Sequence, residues 1–268
     1  MNSLASRLAP VELNPQQRIA YGCAGTVGMV AVAELLVRSG LVHVAGVPAP
    51  SEVLAQAARL VVDATFQTGI LQTLDAWAFG MLIAIVLGVA LGALMGSSRT
   101  MDRLAQLTVE LIRPLPSVAI GPLLVLILGP GLLPEAWTVA FAAVWPILFN
   151  TMYGFRAVDR VAVETARGYR LKPWQIALRV KLPSAAPFAM TGIRVSAAIA
   201  MIVAISVEIV IGNGRGIGGY VLLVSAGGAD LNAVYGATLI GGILGLATIL
   251  AFEGLDRVTL PWKRGLAQ

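Results

Sequence analysis

Apolar residues gather in six long segments along the chain, and shorter polar stretches separate these segments. A transmembrane helix needs about 20 mostly apolar residues to cross a hydrocarbon core about 30 Å thick. The six segments cover residues 19–37, 74–95, 118–128 with flanks, 137–155, 190–211 and 234–252. The pattern predicts an all-α membrane protein with about six transmembrane helices. We expect one domain over residues 1–268, with its core at 74–255.

The first apolar segment follows Arg7 and Arg18, as the apolar part of a secretory signal would. Its length is enough to cross a bilayer, which favours a retained first helix. A cleaved signal is the alternative.

Prolines crowd the third segment, which makes it the weakest of the six. Pro114, Pro116, Pro122 and Pro130 lie in or beside it, and Pro146 lies inside the fourth segment. Proline removes a backbone donor and bends a helix, which membrane helices tolerate when neighbouring groups bond the freed carbonyls. We therefore expect kinks in the third and fourth spans.

Two connections on the outer side carry local signals. Ser51 follows a Pro-Ala-Pro run as a candidate helix cap, and apolar residues then recur at helical spacing, which predicts a short amphipathic helix. Residues 212–219 contain five glycines and predict a hinge or turn. Three further glycines, Gly88, Gly92 and Gly96, repeat every four residues and indicate either a close helix contact or a small-residue face toward lipid.

Composition agrees with a membrane protein and removes several classes of chemistry. The chain is 57% hydrophobic and 12% charged, whereas soluble domains carry about 25% charged residues. Cys23 and His43 are single, so we expect no disulfide, no metal site and no serine–histidine catalysis. We interpret Cys23 as a small apolar filler and His43 as an outer-loop residue.

The sequence contains no convincing nucleotide-binding motif. Gly214, Gly216 and Gly219 match a dinucleotide fingerprint, but an apolar span precedes them and Leu239 stands where an acidic residue is needed. No phosphate-binding loop of the Gly-Lys-Ser/Thr kind occurs in the sequence. We expect this chain to bind no cofactor, and any ATPase to be a separate subunit.

Arginine and lysine positions predict the orientation of the chain. Cytoplasmic loops of membrane proteins carry the excess of these residues. With the N-terminus inside, Arg38, Arg59 and Arg215 are the only ones placed outside. Both termini are therefore predicted to be cytoplasmic, and the net charge of +5 needs no nucleic-acid partner.

The most informative segment is a basic insert, residues 156–181, between the fourth and fifth spans. Its residues predict two short helices joined by a corner. Asp159 is a candidate cap for the first helix, Pro173 suits the first position of the second helix, and Pro183 is expected to end that helix. Tyr169 and Trp174 lie near the corner among positive charges, a composition common at protein interfaces.

At these residues the chain resembles the cytoplasmic loop of bacterial binding-protein-dependent ABC importer permeases. That loop has the form E-A-A, three residues, G, nine residues, I-x-L-P. Glu164, Thr165 and Ala166 occupy the E-A-A positions, and Leu182 and Pro183 occupy L-P at the right spacing. Other runs, including residues 48–54, 88–96, 113–116 and 145–148, resemble the nitrate/sulfonate/taurine branch.

The resemblance implies a type I importer fold, a cytoplasmic coupling loop at 156–183 and several partners. These partners are cytosolic ABC ATPase subunits that carry ATP and Mg, a second permease subunit, and an external solute-binding protein. The implied location is the bacterial inner membrane, and the implied solute is a small organic or oxyanion compound. The implied coupling residues are Glu164, Thr165, Ala166, Gly168, Arg170, Lys172, Pro173, Trp174, Leu182 and Pro183.

The loop departs from the family pattern at two positions. Arg170 stands at the glycine position and Thr165 at the second E-A-A position. Gly168, two residues earlier, is a candidate replacement for the missing turn-former.

Three polar residues in or beside the spans are candidates for a solute path. Glu208 lies within the fifth span, where a carboxylate usually faces protein or a wet cavity. It either lines the path or gate, or is a structural partner for another polar group. Asn150 and Tyr153, at the inner end of the fourth span, either line the path or make ordinary contacts between helices.

The sequence favours transport over two other classes of function. An ATP-independent channel or membrane scaffold is the alternative. A membrane enzyme is disfavoured, because the spans contain no histidine and no paired carboxylates.

Overall fold

The computed structural model describes residues 14–40, 46–227 and 230–259, and every regular element within these ranges is helical. The helices are α1 (Pro15–Arg38), α2 (Pro50–Val62), α3 (Ala64–Ser97), α4 (Arg99–Ile112), α5 (Ser117–Leu128), α6 (Leu132–Arg156), α7 (Arg160–Gly168), α8 (Pro173–Ile176), α9 (Leu182–Ile211), α10 (Gly216–Ala226) and α11 (Leu231–Thr259). His43 lies outside the described ranges. So do basic residues near the two chain ends, such as Arg7 and Lys263.

Five helices of the described chain are long and apolar enough to cross a membrane, and a bent pair raises the number to six. The pair is α4 and α5, which meet at 92°. Pro114 and Pro116 lie between them, where proline cannot continue a helix. The prediction of about six spans is confirmed, but the third span is a broken pair whose apolar half, α5, has 12 residues.

Helices α3 and α6 pack closely through a row of glycines on α3. A Cβ added at Gly88 would lie 2.8 Å from the Ile147 Cβ, and one at Gly92 would lie 2.5 Å from the Leu148 carbonyl oxygen. A Cβ at Gly96 would lie 2.6 Å from the Phe155 Cβ. The glycine row therefore makes a close helix contact, and the alternative of a lipid-facing row is wrong.

Helix α9 completes this central packing. Gly192 lies against the backbone of α6 near Pro146, and the Ser196 hydroxyl donates to the Ala143 carbonyl at 2.6 Å. From α3, the Trp77 indole N–H donates to the Ala197 carbonyl at 3.1 Å. These bonds between helices are made inside an apolar cluster of α3, α6 and α9 side chains, so they fix the rotation of the three helices about their axes.

Helix α1 lies outside the core, since none of its apolar window is buried. It is tied to the predicted outer helix, α2, by Glu34. The Glu34 carboxylate accepts from the Ser51 backbone N–H at 2.9 Å and from the Ser51 hydroxyl at 2.7 Å. The amphipathic helix is confirmed, but Ser51 as its cap is wrong. The cap position is Ala49 and Pro50 is the first helical residue, so a carboxylate from α1 bonds the free N–H.

Pro183 does not end the second helix of the insert, contrary to the sequence prediction. One helix runs from Pro173 to Ile211, 39 residues in all, and contains a π-helical turn at Ala177–Lys181. The Leu182 N–H bonds the Ala177 carbonyl, five residues back. The wider turn accommodates the ring of Pro183, the second residue of α9, which explains why a local stop signal fails here.

Candidate coupling loop and outer polar cluster

The basic insert folds as two helices joined by a tight corner. Asp159 caps α7 by accepting from the Val161 N–H at 2.9 Å, and Pro173 is the first residue of α8. Lys172 precedes it in extended conformation, and its N–H bonds the Gln175 side chain at 2.8 Å. Both predicted helix starts are confirmed, and the corner consists of residues 169–172.

Arg170 adopts a left-handed conformation, with φ of 56°, and is the one described non-glycine residue with positive φ. Its N–H bonds the Arg167 carbonyl at 2.8 Å, and the Leu171 N–H bonds the Ala166 carbonyl at 3.2 Å. These two bonds are the Schellman pattern that ends helices, in which the left-handed residue is usually glycine. The corner therefore keeps the geometry for which glycine is suited, although arginine occupies the position.

Gly168 does not replace the missing glycine, so that prediction is wrong. It is the last residue of α7, its φ is not positive, and a Cβ added there would meet nothing within 4 Å. Any residue fits a helical φ, so Gly168 is not the residue that turns the chain.

The predicted coupling residues lie together around this corner, and most of them face outward. Tyr169 is 79% exposed and Trp174 is 58% exposed. Glu164, Thr165, Gly168, Arg170, Lys172, Pro173 and Pro183 are exposed, Leu182 is half-buried and Ala166 is buried. Two aromatic rings thus project among cations at one end of the molecule, which is a surface suited to a protein partner.

A second polar site, which we call the outer polar cluster, forms at the start of α10. The first three N–H groups of this helix have no partners within it. The Gly216 N–H bonds the Gln72 amide oxygen at 2.9 Å, and the Ile217 N–H bonds the Thr73 hydroxyl oxygen at 2.9 Å. The Gly218 N–H bonds the fully buried Glu208 carboxylate at 2.8 Å. Side chains of α3 and α9 therefore cap α10 inside the bundle.

The glycines of the dinucleotide-like motif are explained by this cap. Gly216 has φ of +72°, and a Cβ there would overlap the Glu208 carboxylate. A Cβ at Gly219 would lie 2.6 Å from the Gly214 backbone. The predicted hinge at 212–219 is half turn and half helix, because α10 begins at Gly216.

Glu135 also belongs to the outer polar cluster, although it was not among the predicted site residues. It lies in the first turn of α6 and is fully buried. It accepts from the Asn213 amide at 2.8 Å, and the Arg215 guanidinium lies 3.6 Å away. The available signals were an acid at the start of a span and an arginine predicted to be outside, but nothing local in the sequence pairs these two residues.

The three predicted path residues do not come together. Glu208 is in the outer polar cluster, whereas Asn150 lies 15 residues after Glu135 on α6, about 22 Å along the helix axis. The Asn150 amide donates to the Pro146 carbonyl of its own helix at 2.8 Å. The Tyr153 ring is exposed and stacks on Phe149. A path role for these residues stays a prediction.

Replacement of Arg170 by glycine should stabilise the corner. The left-handed conformation costs a non-glycine residue roughly 1–2 kcal/mol, so Arg170→Gly should slow amide hydrogen exchange in residues 166–171. The matched control is Arg167→Gly, which places glycine inside α7 and should speed exchange, since glycine weakens a helix by about 1 kcal/mol. Slower exchange in both variants, or in neither, would contradict the assigned backbone strain.

A double-mutant cycle tests the contact between Gly216 and Glu208. Gly216→Ala should lower the free energy of unfolding, and the loss should shrink by roughly 0.5–3 kcal/mol in a Glu208→Ala background, where the carboxylate overlap is gone. Unfolding in detergent by denaturant titration measures both losses. Gly214→Ala is the control, because Gly214 has φ of +71° but its nearest neighbour for a Cβ is Leu223, 3.6 Å away. If Glu208→Ala reduces the stability loss by the same amount for Gly214→Ala as for Gly216→Ala, the assigned contact is wrong.

The family of this chain follows from a match over most of its length. Residues 65–265 match the family described as the binding-protein-dependent transport system inner membrane component. The match includes the coupling loop, the outer polar cluster and all the spans after α1.

Curated relatives carry names from the same family. A protein named as an ABC transporter permease from Methanocaldococcus jannaschii is 29% identical over 185 residues, 69% of each chain. One from Bacillus subtilis, named for transport of aliphatic sulfonates, is 26% identical and covers 88% of this chain and 84% of its own. A nitrate import permease of Synechocystis is 27% identical and covers 80% of both.

A solved structure gives the same fold. A chain of the MetNI methionine ABC transporter, in an inward-facing conformation, aligns with a TM-score of 0.61 and 16% identity. The alignment covers 73% of this chain and 98% of that one. The chain therefore belongs to the family of binding-protein-dependent inner-membrane permeases, as a transmembrane subunit of the ABC importer kind with the type I fold.

Proposed function

We propose that the chain forms half of a solute path and docks a cytosolic ATPase at the corner of its insert. The observation that carries this proposal is the exposed pair Tyr169 and Trp174, held beside a rigid Schellman turn among basic side chains. Aromatic residues surrounded by arginine are typical of interface centres. ATP and Mg would be bound by the partner.

A single helix offers a physical route from this corner to the other end of the bundle. The helix Pro173–Ile211 begins at the corner and ends at Gly212, four residues after Glu208. Its 39 residues extend about 58 Å. A force that moves the corner would reach the cap of α10 along this helix, with the π-helical turn as its weakest point. ATP-driven closure of the partner would thereby bias two states of the outer end.

The charge distribution supports the orientation that we propose. Arg99, Arg103, Arg156, Arg160 and Arg167 gather at the end of the bundle that carries the coupling loop. Arg38, Arg59 and Arg215 lie toward the end that carries α2 and the outer polar cluster. Because inner loops carry the excess of arginine and lysine, the corner and both termini are cytoplasmic in this proposal.

For the solute, we propose a small organic sulfonate or an oxyanion. The support is that relatives covering four fifths or more of this chain are named for aliphatic sulfonates and for nitrate. An external binding protein would deliver the solute, and a second permease subunit, either identical or related, would complete the path.

Removal of the exposed corner tryptophan tests the docking proposal. Trp174→Ala should reduce the amount of ATPase that copurifies with the permease about tenfold or more, because a buried aromatic residue at an interface contributes roughly 2 kcal/mol or more. The control is Trp137→Ala on α6, also partly exposed but near the opposite end of the bundle. Equal ATPase recovery in the two variants would contradict the docking site.

Measurement of solute uptake independently tests whether the insert couples the ATPase to transport. If Arg170→Gly and Glu164→Ala both leave ATP-driven uptake unchanged, the assignment of coupling to this insert is wrong.

A further inference from the structure

A large cavity opens at the end of the bundle that carries the coupling loop. It has a volume of about 840 Å³. Its walls are the last turns of α3 and α6, the start of α4, and one face of α7. The exposed aromatic residues of the corner, Tyr169 and Trp174, do not line it. The coupling loop contributes Glu164, Arg167 and Lys181 to the lining. The cavity therefore borders the proposed ATPase docking site but does not include its exposed aromatic pair.

Positive charge dominates the lining of this cavity. Its acidic members are Asp102 and Glu164, and its cationic members are Arg99, Arg103, Arg156, Arg160, Arg167 and Lys181. Asp102 forms an ion pair with Arg156. Within the described chain, the other five cations have no carboxylate at ion-pair distance. With six cations and two carboxylates, the lining of this concave space carries a net positive charge, which suits an anionic group.

The cavity lies beside the ends of two spanning helices, where a membrane would present its headgroups. The spanning helices α3 and α6 both end in its wall, at Ser97 and Arg156. Helix α4 forms another wall, and beside its arginines it carries an apolar stripe of Leu104, Leu107 and Leu111, which are 68%, 66% and 67% exposed. An amphipathic helix of this kind lies in the interface with its apolar face among acyl chains.

We propose that the cavity binds the headgroup of an anionic phospholipid such as phosphatidylglycerol. Guanidinium groups bind phosphate oxygens through paired, charge-assisted hydrogen bonds. Basic pockets between spanning helices are suited to anionic headgroups. Arg99 and Arg103 lie one turn apart on α4 and hold the phosphate from the membrane side, while the acyl chains lie along the leucine stripe. The headgroup site rests on the proposed orientation of the chain in one respect only, which is that the lipid belongs to the cytoplasmic leaflet.

The test uses the full chain, purified in a neutral detergent, with two lipids of identical acyl chains. Phosphatidylglycerol should raise the midpoint of thermal unfolding as its concentration increases, because a ligand that binds the folded state stabilises it. Phosphatidylcholine should give little or no increase. In the Arg99→Gln, Arg103→Gln double variant, the apparent affinity for phosphatidylglycerol should fall about tenfold or more.

The control variant is Arg59→Gln, which removes an exposed arginine from α2 at the other end of the bundle. It should keep the full response to phosphatidylglycerol. The unfolding midpoint in phosphatidylcholine shows whether each variant is folded, and native mass spectrometry of the unaltered chain should show about one phosphatidylglycerol retained per chain.

Three results would overturn the proposal. The first is equal stabilisation by the two lipids. The second is an equal loss of response in the α4 variant and in Arg59→Gln. The third is that inorganic phosphate raises the unfolding midpoint as much as phosphatidylglycerol does at the same concentration. The cavity would then be a site for a free anion.

Discussion

Lipid offers no hydrogen bonds, so every helix end inside this bundle must be bonded by the protein itself. The start of α10 meets this requirement with side chains from two spanning helices, Gln72 and Thr73 from α3 and Glu208 from α9. The glycine row that brings α3 against α6 places these donors and acceptors within reach, because α9 packs on the same pair. The cap explains both a buried carboxylate and a glycine-rich sequence that resembles a nucleotide motif.

The sequence predicted the features that depend on local chemistry. The apolar segments indicated the spans, and Asp159 and Pro173 indicated where the two helices of the insert begin. It could not predict contacts between distant residues, such as Glu135 with Asn213, since no periodicity links them. Local rules also failed where the backbone adapts: Pro183 predicts a stop, but a π-helical turn carries the helix past it. Arg170 shows the reverse, since its left-handed φ is dictated by the corner rather than by its residue type.

The two ends of the molecule are built differently, and the long helix from Pro173 to Ile211 joins them. At one end, buried Glu208 accepts a hydrogen bond from the first turn of α10, and buried Glu135 accepts one from the segment that leads into α10. At the other end, aromatic rings and unpaired cations are exposed and available to partners. This division is consistent with both proposals, in which the end that carries the corner contacts a protein partner and a lipid headgroup.

In the proposed orientation, on which both proposed sites depend, the corner faces the cytoplasm while α2 faces the outside. Site-specific labelling with a membrane-impermeant maleimide tests it, in a Cys23→Ala background that carries either Trp174→Cys or Arg59→Cys. In right-side-out vesicles the account predicts labelling at position 59 and none at 174, and in inside-out vesicles the reverse. Labelling of position 174 in right-side-out vesicles, or labelling of both positions from one side, would contradict it.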